Sequence, residues 1–213
     1  MNFVFDPSLV LYLPLYELDG GSFASKDAYG HICTVTGALW RPNGHYFDAT
    51  DDRLDVANNS VLQPTKSTVM VWFKCTANSG AYRDLITSTT DSSGNNQAYH
   101  LRVDQTTGLL FGRSGNGTAS VSLNGVGDLT SAAEFSMAAM TLDNKNLSLF
   151  LNGEVTGTPV SRVAGVHTDT NSIRVGNTYG AFGGIIGEIM VYNRALTAQE
   201  IQHNYLATKW RYR

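Results

Sequence analysis

Thiols are scarce in this chain. Cys33 and Cys75 are the only two cysteines among 213 residues, and neither has a His or a second Cys beside it at metal-ligand spacing. They read as small buried apolar residues; a bridge between them stays open, but a chain of this size does not need one. Charge is scarce too, with 15 Lys and Arg against 18 Asp and Glu, a net charge of -3. No broad positive field is available to displace counterions from phosphates, which excludes sequence-independent binding to nucleic acid. Long apolar runs are also missing. Nothing approaches the roughly 20 residues that span a bilayer, so membrane insertion is not expected. Leu9-Val10-Leu11-Tyr12-Leu13 lies between Pro7 and Pro14 without a basic segment before it, which is not the pattern of a signal peptide. The expectation is synthesis in a cytoplasm, with a virion surface or the extracellular space reached only after release. The one local basic cluster is Lys209-Trp210-Arg211-Tyr212-Arg213. It reads as a solvated tail, with docking onto a partner as the alternative.

The sequence does supply apolar residues, 42% of the total, among many Ser, Thr, Asn and Gly, which suits strands joined by turns. A single domain over residues 1–213 follows from that length and composition. Thr68 to Lys74 reads Thr-Val-Met-Val-Trp-Phe-Lys. Val69, Val71 and Phe73 lie on one face and Met70 and Trp72 on the other; both faces are apolar, so the strand is placed centrally. Met137 to Leu142 and Leu147 to Leu151 flank Asp143-Asn144-Lys145-Asn146, and Asn152-Gly153 follows. Those turn residues predict a three-stranded meander to about Val160.

Thr87 to Asn96 and Ser114 to Thr118 read as polar loops, and Asn177 to Gly184 as a Gly-rich loop holding Tyr179 and Phe182. Ile185 to Tyr192 reads as the next strand. One helix is predicted, over about 197–206, because Thr197-Ala198-Gln199-Glu200 has capping-box spacing. It is expected to close an open end of the β structure, and no internal repeat is visible.

Taken in order, a set of segments resembles one family over almost the whole chain. They are Leu9 to Leu15 with Glu17 and Gly20, Lys26-Asp27-Ala28-Tyr29-Gly30, and Tyr46-Phe47-Asp48-Ala49-Thr50-Asp51-Asp52-Arg53-Leu54. Val69 to Phe73, Leu147 to Gly153, Ile173 to Asn177 and Gly187 to Thr197 complete the set. This pattern is similar to the laminin G-like, concanavalin A-like lectin and glucanase superfamily, in a phage or environmental branch. The resemblance implies an all-β fold, a two-sheet antiparallel jelly-roll sandwich with a short C-terminal helix, whose concave face and rim loops bind ligands. Family members often carry Trp where this chain has Phe135, a substitution that keeps the core volume.

The superfamily includes glycosidases, whose chemistry makes definite demands on carboxylate placement. Retaining glucanases need two carboxylates about 5 Å apart, arranged as Glu-x-Asp-x-x-Glu, and no such cluster exists here. Asp51 and Asp52 are adjacent, which on a strand would send them to opposite sides. His31, His45, His100, His167 and His203 are scattered, and no Gly-x-Ser-x-Gly elbow is present. The family also suggests one structural calcium ion, for which Glu17, Asp27 and Glu188 offer oxygen ligands, with Asp51 and Asp52 as a second acidic pair; as an alternative, these carboxylates cap turns. For ligand contacts, aromatic rings beside amides and charged groups suit sugars, as in Tyr82, Arg83, Asp91, Asn95, Asn96 and Tyr99, and in Asn177, Tyr179 and Phe182. The leading expectation is a non-catalytic lectin-like module that recognises a carbohydrate or glycoprotein. The alternatives are a phage virion structural protein, a capsid decoration or fibre-associated domain partnered by capsid proteins or by itself in a homo-oligomer, and then a glycoside hydrolase.

Overall fold

The computed structural model describes residues 3–76, 82–91, 93–104, 106–129, 134–168 and 170–213. Its strands run in chain order as β1 (Leu9–Pro14), β2 (Ser22–Ala24), β3 (Ile32–Thr36), β4 (Leu39–Arg41), β5 (Gly44–Asp48), β6 (Arg53–Val56), β7 (Ser67–Cys75) and β8 (Tyr82–Thr87). They continue as β9 (His100–Asp104), β10 (Leu110–Gly115), β11 (Ser120–Asn124), β12 (Ser136–Leu142), β13 (Asn146–Leu151), β14 (Glu154–Ser161), β15 (Ile173–Val175) and β16 (Gly183–Tyr192). The α-helix of the described residues, α1 (Ala198–Thr208), follows and runs into a short 3-10 turn, Lys209–Tyr212.

Two eight-stranded sheets form a sandwich. The first has the order β14-β13-β12-β7-β16-β5-β4, with β1 also on β16, and the second β11-β10-β9-β8-β15-β6-β3-β2. All pairings between these strands are antiparallel. β7 lies between β12 and β16, as its two apolar faces predict. Val69, Val71 and Phe73 enter the inter-sheet core with Leu11, Leu13, Leu54, Leu85, Leu101 and Leu110, all fully buried. Each such side chain contributes about 1.5–3 kcal/mol on leaving water. Cys33 and Cys75 join this core as free thiols, and burial pushes the Cys33 thiol up to about 12.

The meander of β12, β13 and β14 forms as its turn residues dictate. Asn152 and Gly153 have φ of 53° and 86°, the left-handed pair that a two-residue hairpin turn needs.

The helix begins where predicted but covers a different place. Its capping box is complete: Thr197 Oγ1 accepts from the Glu200 amide at 3.2 Å, and Glu200 Oε2 accepts from the Thr197 amide at 2.8 Å. Instead of closing an end of the sandwich, α1 lies on the outer face of the first sheet. There Ile201 packs with Met70, Trp72, Met137, Met190, Tyr192 and Tyr212 in a second apolar cluster. The outward half of β7 requires this, because Met70 and Trp72 would otherwise face water. Replacing Thr197 by Ala is expected to lower stability by about 1 kcal/mol, measured by urea unfolding, with sheet structure retained.

The basic-aromatic tail is anchored to the same cluster through Tyr212 and does not lie free in solvent. Tyr212 stacks on Trp72 at 4.5 Å between ring centroids and meets Phe135 at 4.9 Å. Arg211 Nη1 reaches Glu188 Oε2 at 3.2 Å. Trp210, at 64%, and Arg213 stay exposed.

Candidate functional site

Strand alternation decides what the second sheet presents outward. Along β9, Leu101 and Val103 face the core, so His100, Arg102 and Asp104 face out. Registers extend this face: Arg102 is paired with Asp84 on β8 and Phe111 on β10, and His100 with Thr87 and Arg113. In β8 an irregularity between Asp84 and Ile86 lets Leu85 and Ile86 both enter the core, as an extra residue in a strand does. Asp84 and Tyr82 therefore stay on the outer side.

Two features organise this face. Arg102 stands between rings from the flanking strands, its guanidinium carbon 3.7 Å from the centroid of Tyr82 and 4.0 Å from that of Phe111. Arg113 also approaches Phe111, at 5.1 Å from its centroid. Burial pulls the Arg102 guanidinium below its ordinary value, with Arg113 adding to that effect and Asp84 opposing it.

The second feature is Asp84, only 1% exposed. Its Oδ1 accepts from His100 Nε2 at 2.8 Å. Its Oδ2 accepts the backbone amides of Thr178 at 2.9 Å, Gly180 at 3.1 Å and Tyr179 between them. Burial alone would raise this carboxyl, but the charge and hydrogen bond of His100 and the amides of Tyr179 and Gly180 outweigh it and hold it below the ordinary carboxylate value. The clamp folds the Gly-rich loop back over the sheet, so that Tyr179 stacks on His100 with centroids 5.3 Å apart.

The residues singled out in the sequence separate accordingly. Tyr82 and Tyr179 lie on this face, both half-buried. Arg83 does not: one residue along the strand, it points inward, is 0% exposed, and acts on Cys75. Tyr99 is equally buried and donates its hydroxyl to the Leu62 carbonyl at 3.1 Å. Phe182 fills the core against Phe47 and Phe73. Alternation explains Arg83, which lies within β8, whereas Tyr99 and Phe182 lie just before β9 and β16 and turn inward where the chain enters the sheets.

Asp91, Asn95 and Asn96 lie in a loop that docks over the end of β10, but their polar atoms bind one another and the chain. Asn96 Nδ2 donates to Asp91 Oδ2 at 2.5 Å, the Ser93 amide donates to Asp91 Oδ1 at 2.7 Å, and Asn95 Nδ2 donates to the Thr118 carbonyl at 2.9 Å. Ser92, in the same loop, lies outside the described residues. Asn177 donates to the Thr50 carbonyl at 3.3 Å. Asp84, His100, Arg102, Phe111 and Arg113 were not singled out from the sequence. The signal available was His100-Leu101-Arg102-Val103-Asp104, a clean alternation that puts three ionisable residues on one face.

The three carboxylates expected to hold calcium do not converge. Asp27 accepts the amides of Tyr12 at 3.0 Å and Tyr29 at 2.8 Å, a turn-capping role. Glu188 is buried under Arg211, with Tyr12 donating to it at 2.8 Å, and Glu17 is exposed. These residues do not fit a shared ion. The carboxylates that do approach one another, within 4.8 Å, are those of Asp48, Asp51 and Asp52. Asp51 and Asp52 sit in the turn after β5 instead of on a strand, so they are not sent to opposite sides. Two backbone amides already occupy the group: that of Asp48 donates to Asp52 at 2.8 Å and that of Thr50 to Asp48 at 2.8 Å.

Among solved structures, the fold is similar to a Trypanosoma rangeli sialidase in complex with sialic acid, with a TM-score of 0.70, 15% identity, and coverage of 97% of this chain and 34% of that one. It is similar to the receptor binding domain of botulinum neurotoxin C/D mosaic serotype, with a TM-score of 0.73, 15% identity, and coverage of 94% of this chain and 51% of that one. It is also similar to the binding domain of botulinum neurotoxin DC in complex with rat synaptotagmin II, with a TM-score of 0.71, 13% identity, and coverage of 95% and 52%. The chain thus spans about a third of the sialidase and half of the neurotoxin domains, and identities this low speak to fold alone. No curated protein sequence matches the chain. A laminin G-like family model does match, over residues 48–202. With two packed antiparallel sheets and a match across most of its length, this chain belongs to the concanavalin A-like lectin/glucanases superfamily.

Proposed function

We propose that the protein is a non-catalytic module that binds a carbohydrate or glycoprotein through the outer face of its second sheet. The observation that carries this reading is the contrast between the two outer faces. The first is apolar and lies beneath α1, whereas the second sets the rings of Tyr82, Phe111 and Tyr179 among Arg102, Arg113 and His100. Rings that stack on the apolar side of a sugar, beside groups that bond its hydroxyls, are what such recognition uses.

The nearest carboxylate is unsuited to acid-base chemistry, since both oxygens of Asp84 are occupied and its acidity is strengthened. A general acid on this scaffold would need the opposite shift. Recognition of a sugar or receptor is also consistent with the sialic acid complex and the receptor binding domain among the structures sharing this fold.

Retention on immobilised glycans, followed by calorimetry and by an assay for new reducing ends, tests the reading. The expected result is reversible binding without product, weakened about tenfold by Tyr82→Ala, as loss of one stacked ring implies. Release of reducing ends that disappears in Asp84→Asn would overturn it, as would failure to bind any glycan.

A further inference from the structure

The outer face of the second sheet contains an arginine built into the protein without an acid to match it. Arg102 is 5% exposed, and it makes no hydrogen bond to a carboxylate among the described residues. Its Nε is buried with no partner among the described residues. A guanidinium carries five donors in a planar fork, and leaving a buried one unmatched is unfavourable. Two other arginines of this sheet show the usual solution: Arg174 meets Asp55 at 2.7 Å and Arg53 meets it at 3.2 Å.

The acids nearest Arg102 are committed elsewhere. Asp84 holds His100 and three loop amides. Asp104, at the end of β9, accepts the amides of Thr106 at 3.0 Å and Thr107 at 3.1 Å. Meanwhile the Tyr82 and Phe111 rings flank the fork, and Arg113 brings a second positive charge within 5.1 Å of the Phe111 ring. Held between two rings, the fork has little rotamer freedom left to lose on binding.

We propose that Arg102, with Arg113 and the Tyr179 hydroxyl beside it, is the receptor for the carboxylate of an acidic sugar, so that the ligand of this face is an anionic glycan. This rests on the carbohydrate-binding reading above and narrows it. A planar carboxylate takes two parallel hydrogen bonds from a guanidinium edge, while the sugar ring lies against the exposed edges of Tyr82 and Tyr179.

The test uses the full chain and three probes: galacturonate oligomers, the same oligomers as neutral methyl esters, and dextran sulfate. Calorimetry at two salt concentrations is expected to show binding of the free acid, weakening with salt, and a loss of about 30-fold or more on esterification, as for a buried charge pair deprived of one partner. Arg102→Met keeps an apolar stem between the rings and is expected to abolish the preference for acid over ester, while Arg102→Lys restores it in part. Thermal melting identifies any variant that does not fold, and the acid-ester comparison on the unaltered chain needs no variant. Equal binding of acid and ester would overturn the anionic ligand and leave the carbohydrate reading standing. Binding of dextran sulfate alone would overturn the carboxylate in favour of a sulfate ester. Binding of no glycan, neutral or acidic, would overturn both readings together.

Discussion

Replacing Asp84 by Ala is expected to lower the stability of the fold by about 3–5 kcal/mol, the cost of breaking a buried ionic group by removing one partner. Four donors lose their acceptor together: His100 Nε2 and the amides of Thr178, Tyr179 and Gly180. Asp84→Asn is expected to be much milder. Its carbonyl oxygen still takes the loop amides, and its NH2 can face His100 once the imidazole carries its proton on Nδ1, an atom now without a partner. Urea unfolding of both variants at pH 7 measures the difference; equal losses would show that the charge itself, and not the acceptor count, holds the loop.

The clamp also sets a pH dependence. The Asp84 carboxyl lies below its ordinary value of 3.8 in the fold, so its ionised form is favoured there more than in the unfolded chain. Its contribution is therefore fully present above about pH 4 and is lost as the pH falls through the lowered folded value. In Asp84→Asn that part of the acid-side decline should vanish. Because Tyr179 is held over His100 only through this loop, the Ala variant should also lose glycan binding.

The other large effect lies on the opposite sheet, at Arg211. Glu188 is 1% exposed, and Arg211 is the cation paired with it, assisted by the hydroxyls of Tyr12 at 2.8 Å and Tyr212 at 3.5 Å. Arg211→Met keeps much of the side-chain volume but leaves the carboxylate buried with tyrosine donors alone. The expected loss is about 3 kcal/mol at pH 7, read by urea unfolding.

The pH dependence here has the opposite sign. Burial raises the Glu188 carboxyl above its ordinary 4.5, against the opposing pull of Arg211 and the two tyrosines. A raised acid binds its proton more readily in the fold than in the unfolded chain, so its contribution is largest below pH 4.5 and is lost as pH rises through the folded value. Removing Arg211 lifts that value further. The variant should therefore go on losing stability with rising pH beyond the point at which the parent levels off, and parallel curves would mean that Arg211 acts only through packing.

The two residues also mark where reading the sequence stops. Lys209 to Arg213 looks like a solvated tail because basic residues at a terminus usually are, and nothing local says otherwise. Its partners, Glu188 and Trp72, lie far away in the chain. The apolar outer half of β7 at Met70 and Trp72 called for a cover, yet which segment supplied it depended on where the chain returned after β16. On the second sheet, Tyr82 faces out and Arg83 faces in by simple alternation, but which of the two faces out depends on the pairing of β8 with β9, where Arg83 sits opposite the core residue Val103.

What the sequence determined by itself is local or periodic. Alternation with a two-sided apolar β7, turn residues at Asp143 to Asn146 and Asn152-Gly153, and the capping box at Thr197 and Glu200 specify the strands, the meander and the helix start, since each depends on residues a few positions apart. Only the tertiary structure decided that α1 and Tyr212 seal the first sheet, that Asp84 from β8 clamps a loop some 95 residues later, and that Arg102 stands between two rings without an acid. Those outcomes depend on which strands become neighbours and in what register. A shift of one residue in register turns every side chain of a strand to the other face, so no reading of a single segment contains them.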